Sequence, residues 1–186
     1  NGYSYQDINN GNFFINPENG DVLICDNDNV SPFGTNLGIM GKQRWMAPEI
    51  VMGKNDPDKN SDRFSLAVVL FRLLFINHPL EGRYSTPPCM TKEAEQKYYG
   101  SAPIFVYDPS TSENRPIPGT DHNMKLFWNV YPDYVKEAFI RAFSHDVMMK
   151  QKPRILEKEW LDIFIRLRTE IGRCPHCGQE TFYTFK

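Results

Sequence analysis

The hydrophobic pattern of the chain centres on residues 61–76, SDRFSLAVVLFRLLFI, where only Asp62, Arg63 and Arg72 are charged. The apolar residues fall on every side of a 3.6-residue period. They predict a helix that is buried on all sides and around which the other elements pack. The segment is too short for a membrane span, and arginines interrupt it. Ser61 or Asp62 is the expected N-cap; alternatively, the Asp62 carboxylate accepts N–H bonds from a neighbouring loop.

Two amphipathic stripes predict further helices over 133–144, with Asp133 as the cap, and over 157–171. Between these and the central helix, residues 83–125 are rich in proline and turn residues and show little periodicity. We expect a long, solvated, irregular insertion there, with one short helix over Lys92–Tyr99 and a docking surface as the alternative. The fold is therefore expected to be mainly α.

Near the start of the chain, Phe13–Ile15 and Val22–Cys25 are short apolar runs on either side of a turn-rich spacer that contains Asn19-Gly20. This pattern predicts a small β-hairpin.

Polar side chains lie just outside the two predicted strands, with Asp7 and Asn12 before the first and Asp26 after the second. Because a hairpin brings its outer ends together, we expect these three residues to converge. Carboxylate and amide oxygens are ligands that suit Mg²⁺. The alternative is that Asn and Asp occur here only because turns favour them.

Composition adds limits rather than detail. A chain of 186 residues fits one domain with a small appendage. The net charge of −2 gives no electrostatic reason to expect a nucleic acid or an anionic membrane as partner. Four cysteines, of which two form one CxxC, do not resemble a disulfide framework, so the cytoplasm is the expected location.

Five features in order resemble the C-terminal lobe of eukaryotic-type protein kinases. They are Asp7-x-x-x-x-Asn12, the hairpin, Asp26, Met46-Ala47-Pro48-Glu49 and Ser61-Asp62-x-x-Ser65. The resemblance implies that Asp7 is the catalytic base and that Asn12 and Asp26 are Mg²⁺ ligands that help bind ATP. It also implies that Asp62 bonds the catalytic-loop backbone and that a protein is the substrate.

The sequence departs from the family pattern at several positions. Gln6 replaces the arginine before the catalytic aspartate, Asn9 replaces a common lysine, and Asp26-Asn27-Asp28 replaces Asp-Phe-Gly. Gly41-Lys42 stands where Gly-Thr is usual. The compact loops and Gln6 favour a bacterial Ser/Thr kinase, and Gln6 predicts activity that does not need phosphorylation of Ser31 or Thr35.

The resemblance also implies a buried ion pair between Glu49 and a base late in the lobe. Lys152, in Gln151-Lys152-Pro153-Arg154, stands in the arginine's place, and Arg154 is the nearby substitute. The sequence does not choose between the two bases. A lysine there makes a point-charge contact rather than a planar fork.

The chain ends in CPHCGQETFYTFK, where Cys174 and Cys177 resemble one knuckle of a zinc ribbon. Residues 1–172 are expected to form the kinase lobe and 173–186 a partial zinc-knuckle tail. A redox CxxC or a frayed tail is the alternative to Zn²⁺ binding.

The residues needed for a nucleotide clamp, a glycine-rich loop and an ATP-anchoring lysine, are not found in this sequence. We therefore expect the N-terminal lobe to come from sequence not included here, and this fragment alone to be inactive. The expected function is transfer of the ATP γ-phosphoryl group to Ser or Thr of a protein. The alternative is a non-catalytic kinase-like scaffold that binds partners through 83–125 and the knuckle.

Overall fold

The central helix α2 spans Lys59–Phe75 in the computed structural model of the chain, which describes residues 2–32, 35, 38 and 40–183. Asp58 caps this helix: its side chain accepts from Ser61 N at 2.7 Å, and Ser61 Oγ accepts from Asp58 N at 2.8 Å. The prediction of Ser61 or Asp62 as the cap was wrong, because this reciprocal capping box starts the helix earlier than the apolar run.

One face of α2 is buried rather than all of them. Its fully covered apolar residues, at helical spacing, are Phe64, Ala67, Val68, Phe71 and Phe75. Leu73, on another side, is 56% exposed, so the expectation of burial on all sides was wrong. The helix ends at Phe75, and its C-cap Ile76 adopts a left-handed conformation with φ 68°.

The described residues form seven α-helices and three two-stranded antiparallel sheets. The other helices are α1 (Pro48–Val51), α3 (Lys92–Gln96), α4 (His122–Val130), α5 (Asp133–Ala142), α6 (His145–Met148) and α7 (Glu157–Thr169). The strands are β1 (Tyr3–Ser4), β2 (Phe13–Ile15), β3 (Val22–Ile24), β4 (Ser31–Pro32), β5 (Ile171–Arg173) and β6 (Glu180–Phe182).

The mainly helical character and the predicted β2–β3 hairpin are present, with Phe14 opposite Leu23. Helix α5 ends at Ala142 and begins after Pro132, so Asp133 lies in the first turn and is not the cap. Helix α7 ends at Thr169, and Ile171 belongs to a strand instead of the predicted helical stripe. No helix in the described ranges is long and apolar enough to cross a membrane.

Segment 83–125 is part of the core, so the expectation of a solvated insertion was wrong. Tyr99, Phe105 and Val106 are each at most 2% exposed. The buried Asn114 amide donates to Leu80 O at 2.9 Å and to Ile104 O at 2.6 Å. Such bonds satisfy the buried backbone of an irregular segment, which no periodicity in the sequence reveals.

The same segment contains more helix than expected. Helix α3 continues as one π-helical turn over Lys97–Ser101, and α4 already begins at His122 within the predicted insertion. Residues 184–186 of the predicted tail, and residues 1, 33, 34, 36, 37 and 39 of the predicted lobe, lie outside the described residues.

Candidate active site

Asp7 and Asn12 are in direct contact at the edge of the β2–β3 hairpin. The Asn12 amide donates to the Asp7 backbone carbonyl at 2.9 Å and to Asp7 Oδ2 at 3.0 Å. Asn12 is buried, whereas Asp7 is partly exposed. The amide therefore orients a carboxylate that solvent and a substrate can still reach.

Asn9 closes the loop between these two residues. Its amide nitrogen donates to Asp7 O at 3.1 Å, and its Oδ1 accepts from Gly11 N at 2.9 Å. With 4% of its surface exposed, Asn9 is a structural part of the loop. Asn9 is uncharged, whereas the kinases that the sequence resembles commonly have a lysine at this position.

Asp62 fixes the other side of the loop. Its two carboxylate oxygens accept from the backbone N–H groups of Tyr5 at 2.7 Å and Gln6 at 2.9 Å. Burial is the largest influence on the Asp62 carboxyl and raises its pKa, while the two backbone bonds act to lower it. Of the two roles weighed for Asp62, the structure shows contact with the loop, since Asp58 is the cap of α2.

The two bonds to Asp62 stabilise an unfavourable backbone conformation at Gln6. Gln6 has φ 65°, a left-handed conformation that L-residues other than glycine rarely adopt. Two charge-assisted bonds, which adjacent N–H groups donate to the half-buried Asp62 carboxylate, hold such a turn in place.

Tyr5 joins Asp26 to this loop. Its hydroxyl donates to the Cys25 carbonyl and also lies 3.2 Å from Asp26 O, while Cys25 N donates to Asn12 O at 2.9 Å. Burial raises the pKa of Tyr5, and the nearby charges of Asp26 and then Asp7 raise it further. The phenol and the Cys25–Asn12 bond thus link the backbone at Cys25 and Asp26 to the loop that holds Asp7 and Asn12.

The sequence analysis missed Tyr5 as a positioning residue. The available signal was its place two residues before Asp7, where a long side chain with a polar end can reach back to the end of the hairpin.

The segment after β4 packs on the same loop. Gln6 Nε2 donates to Thr35 O at 2.8 Å and to Ser4 Oγ at 3.0 Å. Lys42 N donates to Asp7 Oδ1 at 3.2 Å. Gly41, with φ 81°, allows this approach, because a Cβ there would lie 3.0 Å from Gln6 O.

A comparison with family models matches residues 1–121 to the protein kinase domain. The chain belongs to the protein kinase family. The matched range includes Asp7, Asn12, Asp26 and Asp62, and covers most of the chain. No curated protein matches the chain.

The buried ion pair of this kinase domain is made by Arg154. Its guanidinium donates to Glu49 Oε1 at 2.9 Å and Oε2 at 2.7 Å, with both side chains buried. Lys152, the base that stands in the arginine's place in the sequence, instead pairs with Asp146 at 2.8 Å and is 67% exposed, so of the two bases left open it is Arg154 that pairs with Glu49. The planar fork of Arg154 matches a carboxylate in two parallel bonds, which an ammonium cannot do.

Arg154 also lowers the pKa of Glu49. Burial is the largest single influence and acts in the opposite direction, but the hydrogen bonds and charge of Arg154 outweigh it. Lys150 adds a second cation at 3.2 Å from Glu49 Oε1. The Glu49 carboxylate is therefore ionised, and its ion pair holds α1 in place.

The hard oxygen atoms of this site fit the magnesium that kinases generally use. The Asp7 carboxylate and the Asn12 amide are in contact, and Asp26 has a second carboxylate directly after Cys25, whose N–H donates to Asn12 O. Mg²⁺ is typically bound through one or two carboxylates together with phosphate oxygens and water, so a small protein donor set is sufficient.

Cys174 and Cys177 lie in the turn between β5 and β6. Cys174 N donates to Gln179 O at 2.8 Å, and Gly178 N donates to Cys174 O at 2.8 Å. Hydrogen bonds from the backbone of Cys177 and His176, in that order, lower the pKa of Cys174. Within the described residues, no group of three or more His, Cys, Asp or Glu could hold a metal ion, so the zinc knuckle expected at Cys174 and Cys177 is not supported there.

Proposed function

We propose that the chain is the catalytic part of a Ser/Thr protein kinase that uses Mg²⁺ and ATP. The observation that carries this proposal is the constrained position of Asp7. Its carboxylate is oriented by Asn12, and the backbone before it is clamped by Asp62. Such preorganisation is what a positioned base requires.

Asp7 acts as the base in the proposed reaction. It orients the substrate hydroxyl and accepts its proton while the hydroxyl oxygen bonds to the γ-phosphorus of ATP. The bond between that phosphorus and the oxygen that bridges it to ADP breaks, and ADP leaves with that electron pair. Asn12 and Asp26 would hold Mg²⁺, which when bound neutralises charge on the phosphate oxygens.

The apolar side chains exposed on the β2–β3 hairpin support the proposal that another domain covers this side of the site, where the nucleotide would bind. Phe14 is 60% exposed and Leu23, its cross-strand neighbour, is 64% exposed. Neighbouring hairpin residues Ile15, Val22 and Ile24 are also between 46% and 56% exposed. An apolar group of this kind next to a polar catalytic loop fits an N-terminal kinase lobe with ATP between the two lobes.

The test of this function is phosphoryl transfer by the full-length protein, with radiolabelled ATP, Mg²⁺ and a mixture of Ser- and Thr-containing peptides. Asp7→Asn keeps the shape of the side chain but cannot accept the hydroxyl proton. We expect turnover to fall by about 10²–10⁴-fold at an unchanged melting temperature.

Asp28→Asn is the matched control, because Asp28 is an exposed acidic residue two positions after Asp26. It is expected to keep near-wild-type turnover. An Asp7→Asn variant as active as the control would remove Asp7 as the base. Absence of Mg²⁺-dependent transfer by the wild-type protein would favour the non-catalytic scaffold.

A further inference from the structure

The catalytic edge has an unusual distribution of charge. Residues 1–41 contain Asp7, Asp26 and three other acidic residues but no lysine or arginine. Phosphoryl transfer spreads negative charge over the γ-phosphoryl oxygens, and kinases stabilise it with cations. The first cation in the chain is Lys42.

We propose that Lys42 supplies the positive side chain that contacts the transferred phosphoryl group, an inference that rests on the proposed kinase function. Lys42 lies in the segment after β4. From there it would provide the positive charge that the uncharged Asn9 does not bring to the catalytic loop. Asn9 cannot take this part, since its amide is uncharged and bonds Asp7 O and Gly11 N.

The backbone of Lys42 is hydrogen-bonded to Asp7, the proposed base. Its N–H donates to Asp7 Oδ1 at 3.2 Å, so its side chain begins next to the carboxylate that receives the substrate hydroxyl. Asp7, Lys42 and Trp45 line the same small cavity. A lysine stem of four carbons lets the ammonium reach a phosphoryl group bound beside Asp7.

Among the residues that the structure describes, the contact of the Lys42 ammonium is a weak one. It lies 5.0 Å from the centre of the Trp45 ring, and Lys42 is exposed. A cation–π contact at an exposed site is worth about 0.5–1 kcal/mol. The ammonium can therefore leave the ring for a phosphoryl group at low cost. Arg44, by contrast, pairs with Glu81 at 3.2 Å.

The role of Lys42 is electrostatic. Asp7 takes the hydroxyl proton, the new oxygen–phosphorus bond forms, and the bond to the ADP oxygen breaks. Lys42 keeps its proton throughout and neutralises charge on the non-bridging oxygens. Loss of its charge should therefore lower kcat more than it raises KM for ATP.

The experiment compares Lys42→Gln and Lys42→Arg in the full-length protein. Lys42→Gln is expected to lower kcat by about 10²-fold with KM for ATP changed less than about 3-fold, because one charge that stabilises the transition state is lost. Lys42→Arg should keep kcat within about 10-fold of wild type because it keeps the charge.

Lys97→Gln is the matched control, since the Lys97 ammonium also lies over a tyrosine ring, at 5.2 Å from Tyr84, and Lys97 is exposed. It should retain wild-type kcat. Near-wild-type kcat in Lys42→Gln would overturn the proposal. So would equal losses in Lys42→Gln and Lys42→Arg, a loss confined to KM, or a lowered melting temperature, since each would indicate packing rather than charge.

Failure of the proposed kinase function is a separate result. A wild-type protein that does not transfer phosphoryl groups is tested by calorimetric binding of MgATP and MgADP. A tighter affinity for MgATP that disappears in Lys42→Gln would still support the contact with the terminal phosphoryl group. An unchanged preference, or no binding of either nucleotide by wild type, would overturn it.

Discussion

The aromatic core around α2 and the catalytic edge around Asp7 are held by different kinds of contact. In the core, the Phe71 ring lies 4.6–6.0 Å, centre to centre, from four other phenylalanine rings, those of Phe75, Phe105, Phe139 and Phe143. At the edge, the loop is positioned by hydrogen bonds that the Asp62 carboxylate accepts and that the Tyr5, Gln6 and Asn12 side chains donate. Packing resists small displacements in every direction, whereas hydrogen bonds fix particular atoms.

This difference shows how the chain combines stability with an accessible site. The core buries its large side chains, but the hairpin beside Asp7 leaves Phe14 and Leu23 mostly exposed. The edge therefore gains little stability from its own apolar surface, and its geometry depends on connections to α2. Asp62 is the main connection, because it is part of α2 and bonds the loop directly.

The largest stability effect is expected at the buried Glu49–Arg154 ion pair beside α2, where Arg154 also donates to Asn60 O at 2.9 Å. Arg154→Ala leaves the Glu49 carboxylate buried without its bidentate partner. Removing one member of such a pair costs about 3–5 kcal/mol in the free energy of unfolding. Urea denaturation of the full-length protein, followed by tryptophan fluorescence, measures the change.

Lys152→Ala is the control for Arg154→Ala. Lys152 is exposed and pairs with Asp146 at the surface, so its loss should change the free energy of unfolding by less than about 1 kcal/mol. Similar losses in the two variants would mean that Glu49 is not stabilised mainly by Arg154.

A smaller, pH-dependent effect is expected at His78, which lies at the boundary between the regions. Its Nε2–H donates to Arg44 O at 2.7 Å, and its Nδ1 accepts from Leu80 N at 3.1 Å. This tautomer is neutral. Burial lowers the pKa of His78 to about 4.

The direction of the pH effect follows from that pKa. In the unfolded chain His78 has a pKa of about 6.5, so the unfolded state binds a proton more readily between about pH 6.5 and 4. His78 therefore supports the fold fully above about pH 6.5, and this stability is lost as the pH falls toward 4. We expect the stability difference between wild type and His78→Gln to narrow by roughly 2 kcal/mol from pH 7 to pH 4.5.

Denaturation curves at several pH values measure this change. His122→Gln is the control, because it removes an exposed imidazole instead of a buried one. A difference for His78→Gln that stays constant with pH would show that His78 takes up its proton in the folded protein.

Short-range sequence patterns correctly predicted elements that depend on neighbouring residues. The hairpin followed from two apolar runs around Asn19-Gly20, and the central helix from its apolar density. Glu49 was expected in a buried ion pair, but the choice of Arg154 over Lys152 depends on how the chain turns after α6. The burial of Phe105 and Asn114 likewise depends on distant contacts, which an aperiodic sequence does not encode locally.

The smallest effect is expected from removing the hydroxyl groups of Ser31 and Thr35. Gln6 attaches the segment after β4 through the backbone carbonyl of Thr35, so the contact does not depend on a phosphate or on the threonine side chain. Ser31 is only 1% exposed within the β1–β4 pair and is poorly accessible to another kinase. A neutral amide at position 6 also offers no charge to pair with a phosphate dianion.

The Ser31→Ala, Thr35→Ala double variant should therefore keep turnover within about 3-fold of wild type after phosphatase treatment, since no charge-assisted pairing is lost. Gln6→Ala is the contrasting variant: it removes the bonds to Thr35 O and Ser4 Oγ and should lower turnover more than the double variant does. A large loss in the phosphate-free double variant, with Gln6→Ala unaffected, would mean that phosphorylation rather than the Gln6 bond orders the segment. An unaffected double variant together with a loss in Gln6→Ala would show that the neutral hydrogen bond from Gln6 to Thr35 O positions the segment after β4. In phosphorylation-dependent kinases an arginine and a phosphate position this segment.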